Sequence, residues 1–440
     1  MARKVSKKQT PKVTGPQSAK WLRVSRQAEA GCMSQQAPIV LDHGRGVMLW
    51  DVDGRQYIDW TSGVLVTNVG HCHPRLVEAV QQQAARLMNV YDFPTPPRVE
   101  LARRMVALMP PNLDRCFLVT TGSEATEAAM RLAKRHTGRN EIVAFWGGFH
   151  GRTLGAMSMG GKAGGKKGFG TMLPGVLFSP FAYCYRCPFQ MTWPRCDLFC
   201  AGWLDHVKAT ESTGDIAALI VEPYQGGAGF IFPPKGWLTR VHEWCRANDV
   251  LFILDEVQAS FGRTGKMFAL EHERLRPNML CIGKGIGSGV TTAALMSEER
   301  LFACLAPGEM SSTHGGNPLC TAASLAVLDI FKDEKLEDNA ARVGRYMLGR
   351  LRKMQRACRY LGDARGMGLV MGLEFVKDKR TKEPAPDLTV EVINRAVAAG
   401  LLVGRVGFHG NVIRVAPPLV ISRSEAERSC DIMEKVLKSL

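Results

Sequence analysis

VLFILDEVQASFGRTGKMFALEHERLRPNMLCIGKGIGSG, residues 250–289, contains two apolar runs that each end in reactive side chains. Leu251–Leu254 closes on Asp255 and Glu256, and Met279–Ile282 closes on Gly283, Lys284 and Gly285. Short apolar runs bounded by turn residues read as buried strands. Three more lie upstream, at Cys116–Val119, Ile142–Phe145 and Ala217–Val221, with helical patterns between them. Strands alternating with helices predict an α/β chain built on a large, mostly parallel sheet. Ligands collect at the carboxyl ends of strands in such sheets. The residues that follow the five runs are TTGSEAT, WGGFHGR, EPYQGG, DEVQ and GKGIG. From about Thr321 the pattern changes to two long amphipathic stretches and shorter strands such as Leu369–Phe375 and Val412–Val415, which predicts a smaller C-terminal α+β domain.

Composition narrows the class. A chain of 440 residues, 45% hydrophobic and 22% charged, is globular and not a disordered or fibrous chain. No run of 18 apolar residues occurs and the Met1 end lacks an apolar signal core, so neither a membrane span nor secretion is expected and a cytoplasmic location is. The thirteen cysteines are then read as reduced thiols. The formal charge of +16 suggests nucleic acid until its placement is considered: residues 1–28 carry eight basic residues and no acid, half of the excess. That segment reads as a flexible basic leader and not as a groove-binding surface.

Three motifs carry the chemistry. In TTGSEATEAAMRLAKRHTG, Ala125, Ala128, Ala129, Leu132 and Ala133 share a helical face, so a helix starts near Ser123 and can close at Gly138. Its free first-turn N–H groups, with Gly122 allowing close approach and the Ser123 hydroxyl adding a donor, suit a phosphate. An ordinary capped helix fits the same residues. Asp255 ends a strand, where partial burial calls for a cationic partner; a protonated ring nitrogen would serve, as would a nearby arginine. Lys284 sits between two glycines past a strand, where a desolvated amine forms an imine with a carbonyl cofactor; a solvated loop lysine is the plain alternative. A phosphate cradle, an acid for a pyridinium nitrogen and an imine-forming lysine together meet the requirements of pyridoxal phosphate.

The stretch 254–289 closely resembles the lysine signature of the class III (ω-amino acid) aminotransferases, 4-aminobutyrate aminotransferase-like members included. TGSEATEAAMRLAK, FHGRT, VEPYQGG, STHGGNPL and IRVAPPLVIS match that family in order, so the resemblance runs from about residue 37 to the end. It implies fold type I and a homodimer with shared active sites. It also implies a division into residues 29–70 packing with a small domain, 71–320 as the large cofactor domain with a cysteine-bearing insertion at 180–203, and 321–440 as the small domain. In the family pattern Lys284 is the catalytic lysine and Asp255 the partner of the pyridine nitrogen. Gln258 neighbours the phenolic oxygen, Phe149 stacks on the ring, Gly122 and Ser123 hold the phosphate, and Thr313 resembles a threonine delivered by the other subunit. His150 is given a loop-supporting role. Arg152 matches the arginine for a distal carboxylate and Arg414 the one for an α-carboxylate, each a bidentate grip worth ~1.5–3 kcal/mol. Val64 stands where ornithine-specific members carry tyrosine. The implied reaction moves the amino group of an ω-amino acid, most naturally 4-aminobutyrate, to 2-oxoglutarate.

One departure matters: family members that alternate between ω-amino acids and glutamate usually read EPxQGE, whereas here Gly227 ends the motif without a carboxylate to mask Arg414. A racemase, an epimerase or a dialkylglycine-type decarboxylating transaminase therefore stays open. Cys184, Cys187, Cys196 and Cys200 have metal-ligand spacing and leave a structural metal, or reduced thiols in a turn, as readings. With the basic leader they make a metal-stabilised nucleic-acid-binding protein the alternative from another class. No catalytic metal is assigned. Gly160–Lys167 nearly spells a phosphate loop, but Lys167 replaces the required Ser or Thr. His71 and His73 are read as turn residues before a helix at Pro74, and Trp60 and Trp146 as packing aromatics.

Overall fold

The structure is a computed structural model, and it describes residues 13–33 and 36–440. Three short antiparallel strands come first: β1 (Leu41–Arg45), β2 (Met48–Asp51) and β3 (Gln56–Asp59). The central sheet has seven strands: β4 (Arg115–Val119), β5 (Glu141–Phe145), β6 (Val176–Ser179), β7 (Ile216–Val221), β8 (Leu251–Asp255), β9 (Met279–Ile282) and β10 (Ala293–Ser297), in the order β4-β10-β9-β8-β7-β5-β6. The run from β6 to β9 is parallel, and β10 is antiparallel to both β9 and β4. Every residue of β5 and β7 is buried. Strands covered on both faces need no polar alternation, which is why they read as unbroken apolar runs.

The C-terminal region adds β11 (Leu361–Met367), β12 (Val370–Phe375), β13 (Leu401–Leu402), β14 (Gly404–Val406) and β15 (Val412–Val415). Four of these form an antiparallel sheet in the order β11-β12-β15-β14, while β13 pairs parallel with β3 and so joins the N-terminal sheet. Long helices at Pro318–Glu334 and Leu336–Ala357 account for the amphipathic stretches. Among the described residues no helix is long and apolar enough to cross a membrane.

The expectation of a flexible leader over residues 1–28 is corrected for its second half. Pro16–Ala28 is a helix with Ser18 and Leu22 buried. Pro16 occupies the first turn, where its missing N–H costs nothing. The carboxylate of Asp53 accepts from the N–H groups of Gln17 at 2.8 Å and Ser18 at 2.9 Å, so a residue 35 positions away caps the helix. A Cβ at Gly15 would lie 2.2 Å from Asp53 Cγ, which reserves that position for glycine. Charge density masked this order because the cap is not local. Residues 1–12 of the expected leader lie outside the described residues. Asp53→Ala should leave the helix uncapped, and trypsin should then cut after Lys20, Arg23 or Arg26 several-fold faster than in the parent chain, as read by mass spectrometry of the fragments.

Candidate active site

Parallel strands deliver their following loops to one edge of the sheet. There, Val64, Gly122, Ser123, Phe149, Asp255, Gln258, Lys284 and Arg414 line a single cavity of about 340 Å³, together with His150, Glu222 and Gly227. Eight of the residues singled out in the sequence are thus brought together from six separate segments. Arg152 and Thr313 are not among them. Arg152 lines an adjoining cleft that shares Phe149, Gly151, Gly227 and Val406 with this cavity. Thr313 lies in a third, separate cleft beside Thr120 and Ser312.

Asp255 is 4% exposed at the end of β8. One carboxylate oxygen lies 2.7 Å from Nδ1 of His150 and the other accepts from the N–H of Val257 at 3.0 Å. His150 is therefore the chain's own partner for Asp255, a more direct part than the loop support read from sequence. Each carboxylate oxygen keeps a lone pair for a further donor. Glu222, absent from the sequence reading, is 7% exposed and accepts from the N–H groups of Phe149 at 2.9 Å and Gly226 at 3.0 Å. It ties the loop carrying Phe149 to the loop after β7. Burial, with Asp255 adding to it against the opposing His150, pushes its carboxyl up to about 7.

Lys284 has a φ of +49°, a left-handed conformation that costs a non-glycine residue roughly 1–2 kcal/mol. Its glycine neighbours make the turn possible: a Cβ at Gly285 would meet Asn68 Nδ2 at 2.4 Å. Burial holds the Lys284 ammonium below the ordinary lysine value, while Asp255 and Glu222 oppose that shift. The helix Gly122–Thr137 opens with a capping box between Thr121 and Glu124 and closes at Gly138, φ +70°. The box serves Glu124 N–H and leaves those of Gly122 and Ser123 without intrahelical acceptors. Gln258 Oε1 is buried with no hydrogen-bond partner.

Arg414 lies on β15, opposite Gly372 on one side and Gly404 on the other. A Cβ at Gly404 would come within 2.7 Å of its Nη2, so this glycine makes room for the guanidinium. It is 5% exposed, its Nε has no partner, and no acid pairs with it among the described residues. Burial lowers its proton affinity and Asp59 partly offsets this. Val64 sits in a strained turn with φ +67°, held because Asp59 accepts from Thr61 and Ser62 N–H while Ser62 Oγ donates to Ala416 O at 2.6 Å.

Features set aside in the sequence fall elsewhere. Cys184, Cys187, Cys196 and Cys200 are free thiols facing one small aromatic-lined cavity. Among the described residues no group of three or more His, Cys, Asp or Glu side chains could hold a metal ion. His71 and His73 pair with Asp59 and Glu334, both at 2.8 Å, ahead of the helix Pro74–Ala84. Trp60 is fully buried, but Trp146 is exposed, so its reading as a packing aromatic does not hold.

Pyridoxal phosphate fits what these residues leave unsatisfied: an anion at the start of the Gly122–Thr137 helix, a donor at the orphaned Gln258 Oε1, a cationic ring nitrogen at Asp255, and an aldehyde within a pocket that lowers the lysine's proton affinity. The protein is of the pyridoxal-phosphate class. More narrowly, it belongs to the class-III aminotransferases, whose family model matches residues 31–437. The chain is 37% identical to acetylornithine aminotransferase of Methanothermobacter thermautotrophicus, covering 92% of this chain and 95% of that one. It is 35% identical to a probable 4-aminobutyrate aminotransferase of Bacillus subtilis (90% and 92%) and 33% identical to leucine/methionine racemase of Thermococcus litoralis (91% and 91%). A crystal structure of an amine transaminase from an uncultivated Pseudomonas species in its pyridoxal-phosphate-bound form superposes with a TM-score of 0.88 at 30% identity, covering 93% of this chain and 98% of that one.

The raised carboxyl of Glu222 has a consequence for stability. Its folded value of about 7 stands above the unfolded value of 4.5, so the folded chain binds the proton more tightly. That stabilisation is complete below the unfolded value and is lost as pH rises through the folded one. Between about pH 5 and pH 8 the thermal midpoint of the cofactor-free protein should therefore contain a falling component that Glu222→Gln removes. Parallel profiles for the two proteins would show that this carboxyl titrates normally.

Proposed function

We propose that this enzyme transfers the amino group of an ω-amino acid, 4-aminobutyrate being the best fit, to 2-oxoglutarate. The observation that carries the reading is the pairing of a buried, acid-free Arg414 in the cofactor cavity with Arg152 in the cleft alongside. Two planar guanidiniums are the natural clamps for the two carboxylates of a five-carbon diacid. With Arg414 on the α-carboxylate and Arg152 on the distal one, glutamate and 2-oxoglutarate are oriented. A 4-aminobutyrate molecule uses Arg152 alone. The similarity to a probable 4-aminobutyrate aminotransferase supports this donor, and that to an acetylornithine aminotransferase supports the same reaction on a longer one.

When bound, the coenzyme supplies an aldehyde that captures the substrate amine and a ring that takes up the electron pair left at Cα. In this reading the chain does the rest. Lys284 carries the proton between substrate Cα and the coenzyme's C4′, a task suited to an amine whose proton affinity burial has lowered. Asp255, itself oriented by His150, keeps the ring nitrogen protonated. Gln258 would face the phenolic oxygen, Phe149 would cover the ring, and Gly122 and Ser123 would bind the phosphate. Thr313, exposed and away from this cavity, is suited to reach the phosphate site of a second subunit, which makes a homodimer the expected assembly. The same reading gives residues 71–320 to a cofactor domain and residues 29–70 with 321–440 to a smaller one, in an enzyme of the cytoplasm.

The absence of a carboxylate at Gly227 favours a second reading. An Arg414 that nothing masks suits substrates with an α-carboxylate in both halves of the reaction, so racemisation or epimerisation is the alternative, in line with the similarity to a racemase. Incubating the holoprotein with single amino acids, with and without 2-oxoglutarate, separates the two: loss of optical activity without a keto acid is racemisation, and formation of glutamate is transfer.

Lys284→Ala should keep the coenzyme bound yet lose turnover by several orders of magnitude, measured by glutamate formation; near-normal turnover would overturn the assignment. Arg152→Ala should lower kcat/KM for 4-aminobutyrate by roughly tenfold or more, the equivalent of one charged hydrogen bond, and change a simple monoamine little. Equal losses on both donors would refute the clamp.

A further inference from the structure

The loop GGKAGGKKG, residues 160–168, has no part in the chemistry above, yet it lines a solvent-open cleft of about 670 Å³ that adjoins the cofactor cavity. Phe149, Gly151, Gly227 and Val406 border both spaces. The cleft is walled by four cations, Arg152, Lys162, Lys166 and Arg405, and by no acid. None of the four enters an ion pair among the described residues. The two lysines are held in place: Lys162 Nζ donates to Gly407 O at 2.9 Å and Lys166 Nζ to Ser158 O at 2.9 Å, with the latter ammonium 4.5 Å from the centre of the Phe178 ring. Each ammonium has three donors and spends one, so two remain for a ligand. Arg152 lies 5.5 Å over the Phe149 ring at the junction of the two spaces.

Four like charges around one cleft repel each other, and burial together with the charge of Arg152 lowers the proton affinity of Lys162. An anion entering the cleft reverses both effects, and a cleft lined by one sign of charge concentrates ligands of the other. Gly227 keeps the passage open. A Cβ there would stand 3.1 Å from Phe149 Cβ, so any side chain at this position presses on the aromatic plate and projects into the junction.

We propose that this cleft is a subsite for the far end of the amino donor, which carries an anionic group, carboxylate or phosphate, beyond the reach of a five-carbon chain. Lys162, Lys166 and Arg405 are its specificity-determining residues. The proposal rests on the aminotransferase reading above and adds longer acidic donors to the 4-aminobutyrate that reading names.

Unreactive acids test it without any amino transfer. Calorimetric titration of the holoprotein with glutarate, adipate, pimelate and 5-phosphonopentanoate, and with heptanoate as the monoacid of matched length, should give affinities that rise with length among the diacids. Pimelate should bind roughly tenfold more tightly than glutarate, the low end for hydrogen bonds to a charged group. A tighter phosphonate assigns the far group as phosphate, and a tighter pimelate as carboxylate. Lys162→Met, Lys166→Met and Arg405→Met, which keep an apolar stem, should each weaken pimelate several-fold and heptanoate little. Should a variant fold poorly, the parent protein suffices: the advantage of pimelate over heptanoate should shrink as salt is raised. Glutarate binding as tightly as pimelate, or an advantage indifferent to salt, overturns the subsite. Failure of the aminotransferase reading would show separately, as a coenzyme absorbance that no amine bleaches.

Discussion

A carboxylate buried at the end of a central strand has to be satisfied on both oxygens, and the way Asp255 meets that demand organises the whole cavity. Its bond to His150 anchors the loop after β5 against the end of β8. Because His150 is fixed, Phe149 next to it is presented at the cavity wall, where Glu222 accepts its N–H and ties in the loop after β7. Lys284, from the loop after β9, lines the same cavity, and both acids raise its proton affinity against the effect of burial. The segments after β5, β7 and β8, far apart in sequence, are thus locked by two buried acids. Such a network is worth having only when every member is paired, since a buried polar group left alone costs more than its bond returns.

Much of this was readable from the chain. The five apolar runs became strands within a residue or so of their expected limits, most plainly β5, β7 and β9, because strands buried on both faces show their whole length as hydrophobic residues. The helix from Gly122 was legible for a local reason: Thr121, Glu124 and Gly138 mark its ends within the segment itself. Other elements were not. β10, AALMS, has weak strand propensity and exists because it is paired on both sides. The helix Pro16–Ala28 takes its cap from Asp53, and the Asp255 to His150 bond joins residues 105 positions apart. Contacts of that span leave no periodic trace. Glu222 could have been suspected from its place at the end of the all-apolar β7, by the same logic that singled out Asp255.

Arg414 makes the opposite bargain to Asp255. Its surroundings supply space, through Gly404 on a flanking strand, and no acid in ion-pair contact, with Asp59 offsetting only part of the effect of burial. An isolated buried guanidinium is unfavourable to folding and favourable to the capture of a carboxylate, so the cavity trades stability for affinity. Gly227 fits the same logic, since leaving that position bare keeps both Arg414 and the neighbouring basic cleft open to ligand.

The parallel pairing of β13 with β3 sets an order of events during synthesis. The first three strands emerge early from the ribosome, but β3 stays an open edge until Leu401 and Leu402 arrive, some 340 residues later. An unpaired edge is a template for any other strand nearby. Closing this seam therefore takes both ends of the polypeptide, and a chain that lacked residues 401–402 would leave the edge of β3 open.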